Sequence, residues 1–351
     1  MLSRVANCLY WMSRYIERAD NIARLMDVTL QLALDFHRPD PEHDALEEHW
    51  LPIVQSTGDE EQFRRMHGRA TGRTVAEFLV FEPANSNSIV SSVAQARENA
   101  RMVRDQITVE LWEEINRLHL FLRSPRARDL WRTSPSELFL EIRNNSLLLQ
   151  GLTDATVVRN EGWFFVQVGR YLERADKTSR IIDVRHASVP ERGPPAAASP
   201  ADALGWSAVL RSCSAWDAYK ALHGAEVQPA LVAEFLLLTG DFPRSVRFSV
   251  RALNDALRRI SGVSDGQFSN AVEKLAGRLL AELQFSSAQD IFDTGLHRYL
   301  DELQVKLNDV GTALFRTYFF QAVQTPEDEQ LRQQEEQQQQ GRPPPAGPAP
   351  A

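Results

Sequence analysis

Apolar side chains recur every three or four positions along residues 5–33, which is typical of an α-helix that buries one stripe. The same periodicity predicts shorter helices over 44–57, 60–67 and 73–82, and longer ones over 87–106, 108–122 and 136–158. The second half of the chain repeats this order. No run alternates polar and apolar residues as a half-buried strand does. The sequence therefore predicts an all-α helical bundle.

The chain aligns with itself. Residues 14–28, RYIERADNIARLMDV, match residues 170–184, RYLERADKTSRIIDV, at nine of fifteen positions and 156 residues apart. The same spacing pairs Trp50 with Trp206. Several matches in the same order and at the same spacing indicate an internal repeat.

One inserted residue later, VAEFL at 75–79 matches VAEFL at 232–236. We therefore predict two tandem copies of one multi-helix unit, over 1–156 and 157–324. The remainder, 325–351, is rich in Gln, Glu and Pro. Because this composition cannot bury a core, we predict that the C-terminal tail is disordered.

Each copy has a polar break before a longer helix, and each break ends in a serine suited to a helix N-cap, Ser88 or Ser245. Beyond these helices the two copies align poorly. A spacing of 157 residues places Leu111 opposite Phe268 and preserves only the apolar spacing of a helix.

Charge and composition narrow the possible partners. The chain has 47 acidic and 39 basic residues, a net charge of −8, which argues against nucleic acid and anionic membranes. Charged residues interrupt every apolar run before the roughly 20 residues that cross a bilayer. Two cysteines, Cys8 and Cys213, indicate neither a disulfide framework nor a thiolate metal site. We expect a cytoplasmic location.

The repeated charged residues project from the first helix in two directions. At about 100° per residue, five side chains form one polar strip opposite the apolar stripe; they are Arg14, Glu17, Asp20, Arg24 and Asp27. Arg18 projects apart from this strip, so we expect Glu17 and Arg18 not to pair with each other. The spacing instead predicts the pairs Asp20–Arg24 and Arg14–Glu17.

The second copy keeps all of these residue types, as Arg170, Glu173, Arg174, Asp176, Arg180 and Asp183. A freely solvated face should have diverged like its neighbours. Three interpretations remain open. The favoured one is a buried ion network between helices. Alternatively, Arg18 and Arg174 bind carboxylate or phosphate groups, or Glu17 and Glu173 act as catalytic bases.

A second charged segment follows at residues 96–101, ARENAR. Its ordinary interpretation is an ion pair on a helix surface. The functional alternative is that Arg97, Asn99 and Arg101 complete the binding site that the Glu-Arg helix begins.

Other chemical signatures are missing from the sequence. It has no zinc-protease, nucleophile-elbow or phosphate-loop motif. Asp183 and His186 have the spacing of a helical metal site, but Leu30 replaces the histidine in the first copy. We therefore expect neither a metal nor a cofactor, and the sequence favours a non-enzymatic role.

With LYW at 9–11, RYIERAD at 14–20, ARENAR at 96–101 and GRYLERAD at 169–176, the chain resembles the bacterial alpha-E family over about residues 1–322. That family is named for its helical fold and Glu-Arg motif. Its genes neighbour circularly permuted ATP-grasp proteins and transglutaminase-like proteins, so the resemblance implies a role in peptide synthesis or modification. It implies no catalytic residues.

These observations lead to one functional hypothesis with two alternatives. The preferred hypothesis is a helical accessory protein that binds an ATP-grasp ligase or its peptide substrate. The first alternative is an enzyme of unrecognised type that uses the duplicated Glu-Arg motifs. The second is a structural scaffold that oligomerises.

Overall fold

The apolar stripe at residues 5–33 forms one long helix, α1 (Ser3–Asp35), as its periodicity predicts. The computed structural model describes residues 1–35, 45–185, 189, 191 and 199–320. Within these residues there are helices and turns and no strand, which confirms the all-α fold. The tail predicted to be disordered, 325–351, lies outside the described residues.

The other helices of the first half agree with the predicted ones within a few residues. They are α2 (Ala45–Thr57), α3 (Glu60–His67), α4 (Gly72–Ala76, continued by a π-helical segment at Glu77–Phe81), α5 (Ile89–Met102), α6 (Val109–Arg123), α7 (Pro125–Thr133) and α8 (Pro135–Thr156). Only α7 was not predicted. Its Pro125 lies in the first turn, where a missing backbone N–H costs no helical hydrogen bond.

The second half follows with helices in the same order. They are α9 (Glu161–Asp183), α10 (Pro200–Ser212), α11 (Trp216–His223), α12 (Pro229–Leu238), α13 (Val246–Ser261), α14 (Ala271–Phe285), α15 (Ala288–Thr294) and α16 (Leu296–Leu314, continued by a π-helical segment at Phe315–Phe319). This order agrees with a duplicated unit, although the duplication itself stays a prediction. Residues Met1–Phe319 form one compact unit.

The two predicted serine caps are confirmed. Ser88 Oγ accepts a hydrogen bond from the backbone N–H of Ser91 at the start of α5, and Ser245 Oγ accepts one from Phe248 at the start of α13. Each cap satisfies one of the backbone donors that a helix leaves unpaired at its first turn.

The alignment of Leu111 with Phe268 is wrong. Leu111 is buried in α6, whereas Phe268 is 56% exposed and precedes α14. The buried apolar residue near the start of α14 is Val272. Apolar spacing alone misplaced the register because a helical period repeats every few residues.

α1 lies at the centre of the bundle. It packs against α5, α8, α9 and α10, and from Ile16 to Thr29 every residue except Arg18 is buried. The sequence predicted one buried stripe with a polar strip on the opposite side. Four of the five residues of that strip are buried as well, and Arg14 is half-buried, because other helices, α9 foremost, pack against this side.

α1 and α9 run parallel and side by side. Ser13 Oγ donates to the carbonyl oxygen of Val166 at 2.7 Å, and further along Leu25 and Ile181 line one pocket. A Cβ added at Gly169 would collide with the Tyr10 carbonyl oxygen, so glycine allows the close approach. In the described part of the chain no helix is long and apolar enough to span a bilayer.

Candidate functional site

The parallel helices α1 and α9 bring the two Glu-Arg motifs into direct contact. Arg174 binds Glu17 with two parallel hydrogen bonds, from Nε to Oε1 at 2.7 Å and from Nη2 to Oε2 at 2.8 Å. Arg18 binds Glu173 in the same way, at 2.6 Å and 3.2 Å. Each motif therefore pairs with the motif of the other helix. We call these four residues the Glu-Arg interface.

The helical twist explains why neighbouring residues serve different contacts. Successive side chains leave a helix about 100° apart. Glu17 and Arg18 therefore leave α1 in different directions and contact different residues of α9. The expectation that Glu17 and Arg18 do not pair with each other is confirmed.

The predicted pair of Arg14 with Glu17 is wrong. Arg14 Nε instead donates to Glu173 Oε2 at 2.7 Å, because α9 packs beside α1 and offers a carboxylate there. Arg170, the residue of α9 that aligns with Arg14, binds Asp154 of α8 at 3.3 Å. The two aligned arginines thus have different partners.

The predicted i,i+4 pairs form in both helices. Arg24 Nε donates to Asp20 Oδ2 at 2.9 Å, and Arg180 Nε donates to Asp176 Oδ1 at 2.9 Å. Both aspartates are buried, so these pairs are part of the interior rather than of a solvated face. The ion pairs therefore form two clusters between α1 and α9, one around Glu17 and one around Glu173.

Arg244 belongs to the ion network, and the sequence did not predict it. It precedes the N-cap of α13, and its Nη2 donates to Asp20 Oδ2 at 2.6 Å while its Nη1 lies 3.4 Å from Glu17 Oε1. In the first half of the chain the residue before the serine cap is Asn87, whose Oδ1 accepts from Arg18 Nη1 at 2.8 Å. The sequence did contain a signal for both contacts, since a polar residue stands directly before each serine cap.

Electrostatics keep both interface glutamates ionised. Burial by itself raises the pKa of Glu17, but the attraction of Arg174 and Arg244 outweighs burial and lowers that pKa to about 2. Burial also raises the pKa of Glu173, but Arg14 and Arg18 lower it more strongly. The pKa of Glu173 therefore also lies well below its usual range. Both carboxylates are therefore charged acceptors at neutral pH.

This geometry favours the first of the three interpretations. The carboxylates of Glu17 and Glu173 are almost completely buried and are held by bidentate arginines. A general base needs a pKa near the working pH and access to a substrate proton. The interface instead joins α1 to α9 as a buried ion network, and Arg18 and Arg174 bind protein carboxylates.

The segment at 96–101 does not complete this site. Arg97 Nε donates to Asn116 at 2.7 Å, and Arg101 Nε donates to Glu98 at 2.8 Å. Asn99 donates to a backbone carbonyl one helical turn earlier. These side chains lie on the outer surface of α5, because the inner surface of that helix packs small and apolar residues against α1.

One cluster in the described residues has the composition of a metal site. Asp183, His297 and Asp301 each offer a ligand atom, and these atoms lie within 4.8 Å of one another. His297 Nδ1 lies 2.7 Å from Asp183 Oδ1, and this hydrogen bond raises the pKa of His297. The Asp183–His186 spacing cannot be compared, since His186 lies outside the described residues.

The fold and the interface define a class of protein. It is an all-α bundle with two parallel helices, in which the glutamate of each helix binds the arginine of the other. The chain belongs to the Alpha-E family, described as a predicted alpha-helical domain with a conserved ER motif, whose model matches residues 1–319.

Uncharacterized proteins of Mycobacterium bovis and Mycobacterium tuberculosis are 24% identical to the chain over 336 residues. The match covers 90% of this chain but 36% of each relative, so the chain spans little more than a third of their length. No solved structure matches the chain.

Proposed function

We propose that the protein is a non-catalytic helical accessory protein in a peptide synthesis or modification system. Its partner is a circularly permuted ATP-grasp ligase, which works together with a transglutaminase-like protein. The observation that carries the non-catalytic part is the internal pairing of the motif. Because Glu17 and Glu173 bind arginines of the opposite helix, the motif stabilises the fold instead of acting on a substrate.

A separate surface supports contact with a partner protein. On α8, Leu140, Leu147 and Leu148 are 49%, 51% and 45% exposed. Leu140 and Leu147 are seven residues apart and therefore share one helical face, with Leu148 at its edge. Apolar side chains grouped on one helix face are typical of a surface that a partner covers. We call these three residues the α8 face.

The length of the relatives supports association with a further protein part, while the choice of a ligase rests on the resemblance to the family. The matched region is 36% of each mycobacterial protein, so those chains carry a large additional part beside the helical domain. Resemblance to the family implies ATP-grasp and transglutaminase-like proteins as gene neighbours. In the mycobacterial relatives the helical domain is covalently joined to a further part. In this protein we propose that the helical domain instead binds a separate ligase without a covalent link.

The proposal is tested by measuring complex formation with the ATP-grasp ligase of the same organism by isothermal titration calorimetry. We expect a complex that Leu147→Asp weakens at least about tenfold, since a buried charge replaces an apolar contact. The matched control is Val305→Asp on α16, because Val305 is also exposed, at 58%. No complex, or equal effects of both variants, would overturn the proposal.

A second measurement separates binding from catalysis. The protein alone, incubated with ATP and a peptide mixture, should produce no new amide bond or hydrolysis product. If it does, and Glu17→Gln abolishes turnover while circular dichroism shows an intact fold, the protein is an enzyme and the proposal fails.

A further inference from the structure

A pocket opens beside the Glu-Arg interface between α1, α9 and α16. Its volume is about 490 Å³. Arg14 and Asp176 are its charged lining residues, and Asn308 and Thr312 are polar residues from α16. Apolar and aromatic side chains form the remaining walls, including Trp11. A concave site with a few convergent polar groups on apolar walls is typical of small-ligand binding.

The corresponding position on the other side of the interface is filled. There Arg170, which aligns with Arg14, lines a space of about 30 Å³ with Gln150 and Thr153 of α8. Asp154 of α8 neutralises Arg170. The residues of α16 that line the larger pocket include no acid. Of the two related positions, this one alone has both space and an arginine that receives no acid from the third helix of its pocket, α16.

The guanidinium of Arg14 keeps donors for a ligand. It uses Nε and Nη2 toward Glu173 Oε2, at 2.7 and 2.6 Å, and Nη1 toward the Tyr10 hydroxyl at 2.8 Å. An arginine has five N–H donors. Two of them, one on each Nη, therefore have no acceptor among the residues that the structure describes. Arg14 Cζ also lies 4.9 Å from the centroid of the Trp11 ring, which is a cation–π contact.

The local charge favours an anion. The ion pairs on this side of the interface join four cations, Arg14, Arg18, Lys177 and Arg180, to two carboxylates, Glu173 and Asp176. Four positive charges minus two negative charges leave a net charge of +2. The whole chain has a net charge of −8, so this positive excess, carried by half-buried side chains, is local. A ligand carboxylate would offset part of it.

The neighbouring groups define the rest of the ligand. Leu172, Leu307 and Phe319 offer an apolar wall beside Arg14. Asp176 can accept an amide N–H, although Lys177 and Arg180 already reduce its negative field. An N-acylated apolar amino acid carries these three groups on adjacent atoms: a carboxylate, an apolar side chain and an amide N–H.

We propose that this pocket binds a carboxylate ligand of that kind, with the carboxylate on Arg14 and the apolar side chain on the α16 wall. A free N-acyl amino acid and the C-terminus of a peptide share this chemistry. The inference goes beyond the proposed function, and the pocket shares no residue with the α8 face. A failed ligand titration would therefore leave the ligase test unaffected.

The test titrates the full chain with N-acetyl-leucyl-phenylalanine, with N-acetyl-phenylalanine and with the C-terminal amide of the dipeptide. We expect the dipeptide acid to bind at least about tenfold more tightly than its amide, because the amide cannot form a charge-assisted pair with Arg14. Tighter binding of the dipeptide than of N-acetyl-phenylalanine assigns the site to peptide termini, and equal binding assigns it to small acids. Equal binding of acid and amide, or no binding, overturns the proposal.

Two variants connect the binding to this pocket. Arg14→Gln should abolish the preference for the acid over the amide. Because Arg14 also supports Glu173, Gly311→Leu provides a second variant that leaves the ion network unchanged. A Cβ at Gly311 lies 3.6 Å from Leu172, an ordinary contact, and a longer side chain there fills the pocket. The matched control is Gly151→Leu in α8, where a Cβ meets nothing within 4 Å. Unchanged binding by Gly311→Leu would overturn the proposal.

Discussion

Arg174 and Glu17 form a bidentate ion pair between α9 and α1, with donor–acceptor distances of 2.7 and 2.8 Å and with both side chains buried. Arg18 and Glu173 form the reciprocal pair. Because each helix contributes one glutamate and one arginine, separating the helices would leave both kinds of charge without a partner. Four predictions follow from this arrangement and from the packing around it.

Glu17→Gln should lower the free energy of unfolding by about 3–5 kcal/mol, because Arg174 would then be buried without a compensating charge. Urea unfolding monitored by circular dichroism measures the change. The control is Glu98→Gln, which removes an exposed pair with Arg101 and should cost less than about 1 kcal/mol. Similar losses for both variants would show that the buried pair does not stabilise the fold.

Acid should destabilise the protein through the same glutamates. The pKa of Glu17 is lowered to about 2 in the folded protein from an ordinary value of 4.5. Its contribution to stability is therefore complete above pH 4.5 and is lost as the pH falls toward 2. The melting temperature measured from pH 6 to pH 2.5 should fall mainly below pH 4.5, and it should fall less steeply in Glu17→Gln. Identical profiles would contradict the assignment.

Gly169→Ala should destabilise the protein, whereas Gly151→Ala should not. Both glycines lie inside helices, where alanine is favoured by about 1 kcal/mol. At Gly169 the new methyl group would collide with the Tyr10 carbonyl oxygen and Ser13 Oγ and push α9 away from α1. At Gly151 it meets nothing within 4 Å. The melting temperature should fall for Gly169→Ala and should not fall for Gly151→Ala. A higher melting temperature for both variants would exclude the close contact between α1 and α9.

His297 should titrate above its ordinary pKa of 6.5, because Asp183 accepts its hydrogen bond. The resulting contribution to stability is complete below pH 6.5 and is lost as the pH rises through the raised pKa. Since the His297 side chain is 52% exposed, solvent screening keeps this contribution small. A proton NMR titration should show the pKa returning toward 6.5 in Asp183→Asn, and an unchanged pKa would contradict the pair.

The sequence by itself determined the features that depend on residues close together along the chain. Helical periodicity located α1 and nearly all later helices, and serine before a helix start identified the caps of α5 and α13. The Asp20–Arg24 pair followed from i,i+4 spacing. The same spacing argument showed that Glu17 and Arg18 point in different directions.

Only the tertiary structure decided which partners those directions reach. Arg14 binds Glu173 rather than Glu17, and Arg244 joins the network from a loop far along the chain. A helical projection gives the direction of a side chain relative to its own axis, but pairing between helices depends on their relative register and distance. Those quantities are set by the packing of α1 on α9 around Gly169, which periodicity does not contain.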